Sequence, residues 1–193
     1  MEPLPATSKP LISTPPLTGA YLLDANTLVA LLDPQHCQHR AVQRWFAREA
    51  QPRGWATCAS CERVALAVLA HPDYPGRLEL RDAALLLSRL RSQPGHAFWP
   101  QEVDLLSFPP LVLWEHVPAV GALADLELLA LASGRGGVLV TLGRRLVLEG
   151  LRGPSRARHW QPLEPLLVPQ RTTTPAVQPT GGAGGARLPA TRA

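Results

Sequence analysis

Short apolar runs that alternate with helical segments are the feature that most constrains the fold of this chain. Each run has three to five residues, and the runs lie at 21–23, 55–57, 97–99 and 137–141. Continuous apolar runs of this length are typical of strands buried on both faces of a parallel sheet. Because helical segments separate them, the sequence predicts the α/β class, with a mainly parallel central sheet and helices on both faces.

Apolar residues at helical spacing predict the elements between these strands. A helix begins soon after Asp24, and further helices are predicted at about 39–50, 62–70, 77–90 and 120–132. In the helix at 77–90, the residues expected to face the core are Leu80, Leu85, Leu86 and Leu87. A loop or short helix is expected at 102–108 and an edge strand at 158–160. We interpret residues 19–167, which contain all these elements, as one domain.

The two terminal segments differ in composition from this domain. Residues 1–18 and 168–193 are rich in Pro, Thr, Ala and Gly and lack periodicity. Such segments bury too little apolar surface to offset the entropy lost on ordering, so we expect both tails to be disordered. They also hold most of the net charge of +4, through Lys9, Arg171, Arg187 and Arg192 against Glu2. Charge alone therefore does not mark the nearly neutral domain as a nucleic-acid binder.

Membrane and disulfide-stabilised classes are both disfavoured. No basic segment leads into a long apolar run, and no apolar stretch is long enough to span a bilayer, so we expect a cytoplasmic protein without a membrane partner. Three cysteines, Cys37, Cys58 and Cys61, cannot all pair within the chain. The C-x-x-C spacing of Cys58 and Cys61 suggests a redox or zinc site, but no second such motif or His pair completes one. Reduced, semi-buried thiols are the favoured interpretation.

Asp24 stands where the first strand ends and the first helix begins. Ligands bind at the carboxyl ends of strands in open α/β sheets, so a carboxylate at this point can hold a metal ion. The alternative is that Asp24 only caps the helix by accepting a hydrogen bond from a backbone N–H. Asp24 by itself leaves both interpretations open.

Two further acids, Glu62 and Asp125, lie in helices that are apolar on nearly every side. Burying an unpaired carboxylate is costly, so each acid needs a partner or a polar cavity. Acids gathered with Asp24 in one cavity would repel one another unless a cation such as Mg²⁺ or Mn²⁺ lay among them. The alternatives are that Glu62 is a first-turn acid favoured by the helix dipole and that Asp125 pairs with an arginine.

The motifs keep one order and spacing over residues 21–148. They comprise Asp24-Ala25-Asn26-Thr27-Leu28, then 54–58 leading to Glu62, then 94–100, 125–132 and 136–141. In this respect the chain resembles PIN-domain ribonuclease toxins of the VapC type. The resemblance implies a three-layer α/β/α PIN-like fold and a Mg²⁺-dependent endoribonuclease that cleaves structured RNA, such as transfer or ribosomal RNA. It also implies a VapB-type antitoxin as partner and a homodimer.

The resemblance also implies roles for particular residues. The catalytic and metal-binding acids would be Asp24, Glu62 and Asp125, holding an ion that activates water toward a phosphodiester. Asn26 and Thr141 would not bind the ion themselves but would support the residues that do, with Asn26 orienting Asp24. The guanidinium groups of Arg144 and Arg145 suit contacts to RNA phosphates, with a solvated helix face as the alternative.

The sequence departs from this family at the expected site. Gly143 stands where the fourth acid usually lies, and Cys61 and Ala124 replace the hydroxyl residues usual before the second and third acids. Three acids can still hold one ion, so two functions remain open: an active ribonuclease with weakened activity, and a catalytically defective PIN module that binds antitoxin or RNA without cleaving. A phosphatase-like hydrolase is disfavoured, because no second Asp follows Asp24 at nucleophile spacing.

Overall fold

The computed structural model describes residues 19–107, 109–143 and 148–152, and the backbone of residues 160–162. Within these residues one five-stranded sheet has the order β3-β2-β1-β4-β5, and every strand pairing is parallel. The strands are β1 (Tyr21–Leu23), β2 (Trp55–Thr57), β3 (His96–Phe98), β4 (Val138–Thr141) and β5 (Trp160–Pro162). Helices lie on both faces of the sheet, so the predicted α/β fold class is confirmed.

The helices follow the strands in the predicted alternation. They are α1 (Ala25–Leu32), α2 (His39–Trp45), α3 (Gln51–Arg53), α4 (Ala59–Leu69), α5 (Leu80–Arg91) and α6 (Ala122–Gly134). A π-helical segment, Phe46–Ala50, joins α2 to α3, and short 3₁₀ turns occupy Trp114–His116 and Leu148–Gly150. Helix α1 packs against α2 and α4, whereas α6 packs against β1 and β4.

The core lies around the central strands. Both Leu22 and Leu23 of β1 are fully buried, as is Trp55 of β2. The Phe46 ring meets the Trp55 ring edge-on with centroids 4.9 Å apart, which ties the π-helical segment to the sheet. Burial on both faces explains why β1 and β2 read as continuous apolar runs.

The turn before β3 depends on Gly95. This residue has φ +82°, and a Cβ atom at its position would lie 2.6 Å from the backbone oxygen of Gln51. Its own carbonyl oxygen accepts a hydrogen bond from the Trp55 backbone N–H at 2.9 Å. Only glycine combines this backbone conformation with so close an approach.

Several element boundaries differ from the predictions. Helix α4 begins at Ala59 and not at 62, and α5 spans Leu80–Arg91 where 77–90 was predicted. Strand β3 begins one residue early and α6 is shifted by two residues. Residues 102–107 form a loop, which is one of the two structures predicted there. The edge strand is Trp160–Pro162, and the predicted residues 158 and 159 lie outside the described part of the chain.

The predicted inward face of α5 is wrong in part. Leu80 and Leu85 are 58% and 49% exposed, whereas Ala83 and Leu87 are buried. The helix carries leucines on more than one face, so hydropathy alone did not orient it.

The domain limits and the membrane prediction concern the organisation of the chain. The proposed tails, 1–18 and 168–193, lie outside the described residues, so the domain limits of 19–167 stay predictions. Among the described helices, none combines the length and the apolar character that crossing a membrane requires.

Candidate acidic site

The site lies at the carboxyl edge of the three central strands. Leu23, the last residue of β1, pairs with Val140 of β4, so Asp24 follows directly beside Thr141. On the other side of β1, Leu22 pairs with Ala56, which brings the end of β2 at Thr57 to the same edge. The parallel register therefore gathers the residues that follow three strands, as the sequence predicted for Asp24.

Asp24 is held at both carboxylate oxygens. It is the N-cap of α1, and its Oδ1 atom accepts a hydrogen bond from the Thr27 backbone N–H at 2.7 Å. The Thr141 hydroxyl donates to Oδ2 at 2.6 Å. Because each oxygen accepts one bond, further lone-pair capacity remains for a cation. The capping and ligand interpretations of Asp24 are thus compatible.

Burial makes this carboxylate unfavourable to ionise. Asp24 is only 6% exposed, and burial raises the pKa of its carboxyl above the usual value of 3.8, against smaller lowering effects of the Thr141 and Thr27 hydrogen bonds. The pKa of Asp125 is also raised, first by burial and then by the negative charge of Asp24. The two acids therefore interact electrostatically across the site, and within the described residues no ion pair relieves Asp125.

Glu62 lies in the first turn of α4 but points its carboxylate at other partners. The Thr57 hydroxyl donates to Oε1 at 2.5 Å, and the Arg91 guanidinium donates to Oε2 at 3.1 Å. Thr57 has a single hydroxyl proton, so its oxygen accepts the 2.9 Å contact from Nε2–H of His96. Asp125 thus lies within electrostatic reach of Asp24, while Glu62 is engaged by Thr57 and Arg91.

A magnesium site can be tested against these donors. Within the described residues no group of three or more His, Cys, Asp or Glu side chains is arranged to hold a metal ion. However, Mg²⁺ is commonly held by one or two carboxylates together with waters and substrate phosphates. Asp24, which is buried, and Asp125, which is half-buried, supply oxygen donors whose mutual repulsion a cation would relieve. This pair suits a single ion, whereas the Glu62 carboxylate is engaged by Thr57 and Arg91.

The remaining predicted residues have varied positions. Asn26 is exposed on the first turn of α1, and the hydrogen bonds to the Asp24 carboxylate come from Thr27 and Thr141. The Gly143 backbone N–H donates to the Thr141 hydroxyl oxygen at 2.9 Å. A Cβ atom at position 143 would lie 3.2 Å from that same oxygen, so an acid there would crowd it. Arg144 and Arg145 lie outside the described residues.

A pair of buried thiols lies beside the site. Cys58 is the N-cap of α4, and its Sγ atom is 3.2 Å from that of Cys61, with both cysteines unoxidised. The Cys61 thiol lowers the pKa of Cys58 to about 6, whereas the pKa of Cys61 is raised, first by that hydrogen bond and by burial, then by the charges of Cys58 and Asp24. The favoured interpretation of reduced thiols agrees with this arrangement, although both thiols are fully and not partly buried.

Sequence reasoning missed Thr57, His96 and Arg91. Thr57 carries a usable signal, because β2 and β4 both end in threonine and each hydroxyl donates to an acid of the site. Arg91 has no such signal, since 29 residues separate it from Glu62 and only the packing of α4 and α5 joins them.

Comparison with known proteins gives sequence relatives. No protein-family profile matches the chain. The chain is 31% identical over 135 residues to ribonuclease VapC44 of Mycobacterium tuberculosis, covering 70% of this chain and 94% of the relative. Ribonuclease VapC38 of the same organism is 37% identical over 123 residues, covering 62% and 82%. The solved structure of PAE2754 from Pyrobaculum aerophilum gives a TM-score of 0.44 at 23% identity, covering 77% of this chain and 90% of that one.

Proposed function

This chain belongs to the VapC family of PIN-domain ribonuclease toxins, and from that premise we propose that it is a magnesium-dependent endoribonuclease, the toxin of a toxin–antitoxin pair. Manganese is expected to substitute for magnesium. The observation that carries the proposal is the pair of interacting acids, Asp24 and Asp125, at the carboxyl edge of the sheet. In an α/β sheet this edge is where ligands bind.

Asp24 and Asp125 are the residues proposed to hold the ion. Glu62 is proposed as the third catalytic and metal-binding acid. When bound, magnesium would stabilise negative charge on a phosphodiester and lower the pKa of water. Thr141 and the Thr27 N–H keep the Asp24 carboxylate in one orientation, so its remaining lone pairs are preorganised. Burial of Asp24 strengthens its interaction with any cation, because the local dielectric is low.

Binding partners follow from the family and remain proposals for this chain. We expect a VapB-type antitoxin, a structured RNA substrate of the transfer or ribosomal class, a homodimer and a cytoplasmic location. Arg144 and Arg145 are proposed to contact RNA phosphates, because guanidinium groups bind phosphate in a bidentate manner. Asn26 is proposed to orient the Asp24 carboxylate when an ion is bound.

A catalytically defective module that binds antitoxin or RNA is the second candidate function. Two observations favour it: Gly143 stands where the fourth acid is usual, and Glu62 is engaged by Arg91. With two free acids the site would hold one ion at most, and weak activity or none would follow.

Calorimetric titration with Mn²⁺ tests the proposal on the intact chain. Asp24→Asn keeps a good N-cap side chain but removes the charge, so we expect metal binding and cleavage of total RNA both to be lost. Asp82→Asn is the matched control, because Asp82 is an exposed first-turn acid of α5, and this variant should bind Mn²⁺ as the parent does. Binding that survives in Asp24→Asn would refute the proposed site, whereas binding without cleavage would favour the defective module.

A further inference from the structure

The groove beside Glu62 joins the acidic site to an exposed aromatic and basic surface. It has a volume of about 670 Å³ and runs between α4, α5 and the end of β3. Its lining includes Glu62, Arg63, Leu66, Leu80, Arg91 and Phe98. Leu80 and Phe98 are exposed although both are large and apolar. The exposed Leu80 and Phe98 have no role in the contacts described so far.

Arg91 is the link between the groove and the site. Its guanidinium pairs with Glu62 and also lies 5.2 Å from the centre of the Phe98 ring. The Arg91 side chain is 40% exposed, whereas the Glu62 side chain is 14% exposed. A ligand in solvent can therefore reach Arg91 without first displacing Glu62. The aromatic contact holds the guanidinium plane at the groove surface.

Single-stranded RNA has the chemistry that this surface recognises. Bases stack on exposed aromatic rings, and arginine binds phosphate oxygens through its planar fork. Phe98 is 42% exposed and Arg91 covers part of its ring, with Arg63 adding a second positive charge at the same groove. A phosphodiester would therefore compete directly with the Glu62 carboxylate for Arg91.

We propose that Arg91 is a positioning residue that holds Glu62 away from the metal in the free chain and releases it when a phosphodiester of RNA, with its base on Phe98, takes the guanidinium. This inference rests on the proposed function, because it requires the ion at Asp24 and Asp125. Glu62 is close enough for such a change, because its carboxylate accepts a hydrogen bond from Thr57. Thr57 ends β2 beside Leu23, the residue that precedes Asp24.

The Mn²⁺ affinity of the free chain tests the first half of the proposal. Arg91→Gln removes the competing cation, so we expect Mn²⁺ to bind about fivefold more tightly. The gain is modest because a partly exposed ion pair is weak. Arg91→Lys should retain the parent affinity, and adding Glu62→Gln to Arg91→Gln should cancel the gain. If Arg91 only stabilised the fold, Arg91→Gln would weaken Mn²⁺ binding, because a loosened site binds metal less tightly. Unchanged or weaker binding by Arg91→Gln would overturn the proposal.

A short oligothymidylate tests the second half, since it presents phosphodiesters and bases without a defined target sequence. Binding of the strand should tighten Mn²⁺ binding by the parent chain, and by reciprocity Mn²⁺ should tighten strand binding. Arg91→Gln should show no such coupling, and Phe98→Leu should weaken strand binding. Absence of coupling in the parent would overturn release by phosphodiester. Loss of all Mn²⁺ binding in Asp24→Asn, with no effect of Arg91→Gln, would leave the proposed function standing and refute this inference alone.

Discussion

Replacing Thr141 with valine removes one hydroxyl from the centre of the site with little change in shape. In the parent chain that hydroxyl donates to Oδ2 of Asp24 at 2.6 Å and accepts from the Gly143 N–H at 2.9 Å. Thr141 is buried, so water cannot replace the lost donor without moving the strand end. The variant therefore leaves one oxygen of a buried carboxylate without its partner.

The expected loss of stability follows from these contacts. A hydrogen bond to a charged group contributes about 1.5–3 kcal/mol, and an unpaired buried acceptor costs about 1–3 kcal/mol. The Gly143 N–H is only half-buried and can bond to water, so it adds little. We expect the free energy of unfolding to fall by about 2 kcal/mol, and Tm by about 6 °C for a chain of this size.

Denaturation in urea, without divalent ions, measures this change, and Thr57→Val provides the comparison. Thr57 donates to Glu62 and accepts from His96, but Glu62 keeps the Arg91 guanidinium. His96 is only half-buried and its N–H can bond to water, so we expect a loss of about 1 kcal/mol or less. A loss smaller for Thr141→Val than for Thr57→Val would refute the reasoning that Asp24 depends on its hydroxyl partner. Thr141→Val should also bind Mn²⁺ more weakly, because the donor that favours ionised Asp24 is gone.

Three further outcomes are expected. Because burial raises the pKa of Asp24, its neutral form stabilises the fold below the unfolded value of 3.8, and that contribution is lost as pH rises through the folded pKa. Without metal, Asp24→Asn should therefore match the parent at about pH 3.5 and exceed its stability at neutral pH, as read from urea midpoints; equal pH profiles would contradict this. Gly95→Ala should lower the free energy of unfolding by about 2 kcal/mol, measured by thermal melting, because φ is +82° and Cβ would meet the Gln51 oxygen. In a thiol-reagent titration, exposed Cys37 should react at once and the two buried thiols only after unfolding; rapid reaction of all three would show that the pair is open to solvent.

The sheet could be predicted because its strands are buried on both faces. Every residue of Tyr21–Leu23 and Trp55–Thr57 is buried, and all but Thr57 are apolar, so the pattern does not depend on which face meets the core. The buried face of helix α5 could not be predicted in the same way, because its orientation depends on contacts with α4. Leu80 and Leu85 were expected in the core but line the surface, while the smaller Ala83 is buried.

The sequence singled out Asp24, Glu62 and Asp125 as acids in apolar surroundings, but it did not predict the partner of Glu62. Asp24 and Asp125 stand out because carboxylates in apolar surroundings need a reason to be there. Which acid takes a counterion depends on residues far away in the chain. Arg91 reaches Glu62 only because α5 packs beside α4, and no local pattern around position 91 distinguishes this arginine from its neighbour Arg89.

Counterions divide the site into two unequal parts. Glu62 has Arg91, so its charge is balanced in the free chain. Asp24 and Asp125 have no such balance within the described residues, and each carboxyl is shifted toward the protonated form. A divalent cation can relieve the acid pair by replacing protons there, whereas at Glu62 it must first displace an arginine. On the proposed function, the acid missing at Gly143 would therefore matter less to holding one ion than the position of Arg91, because that guanidinium would decide whether two carboxylates or three are offered.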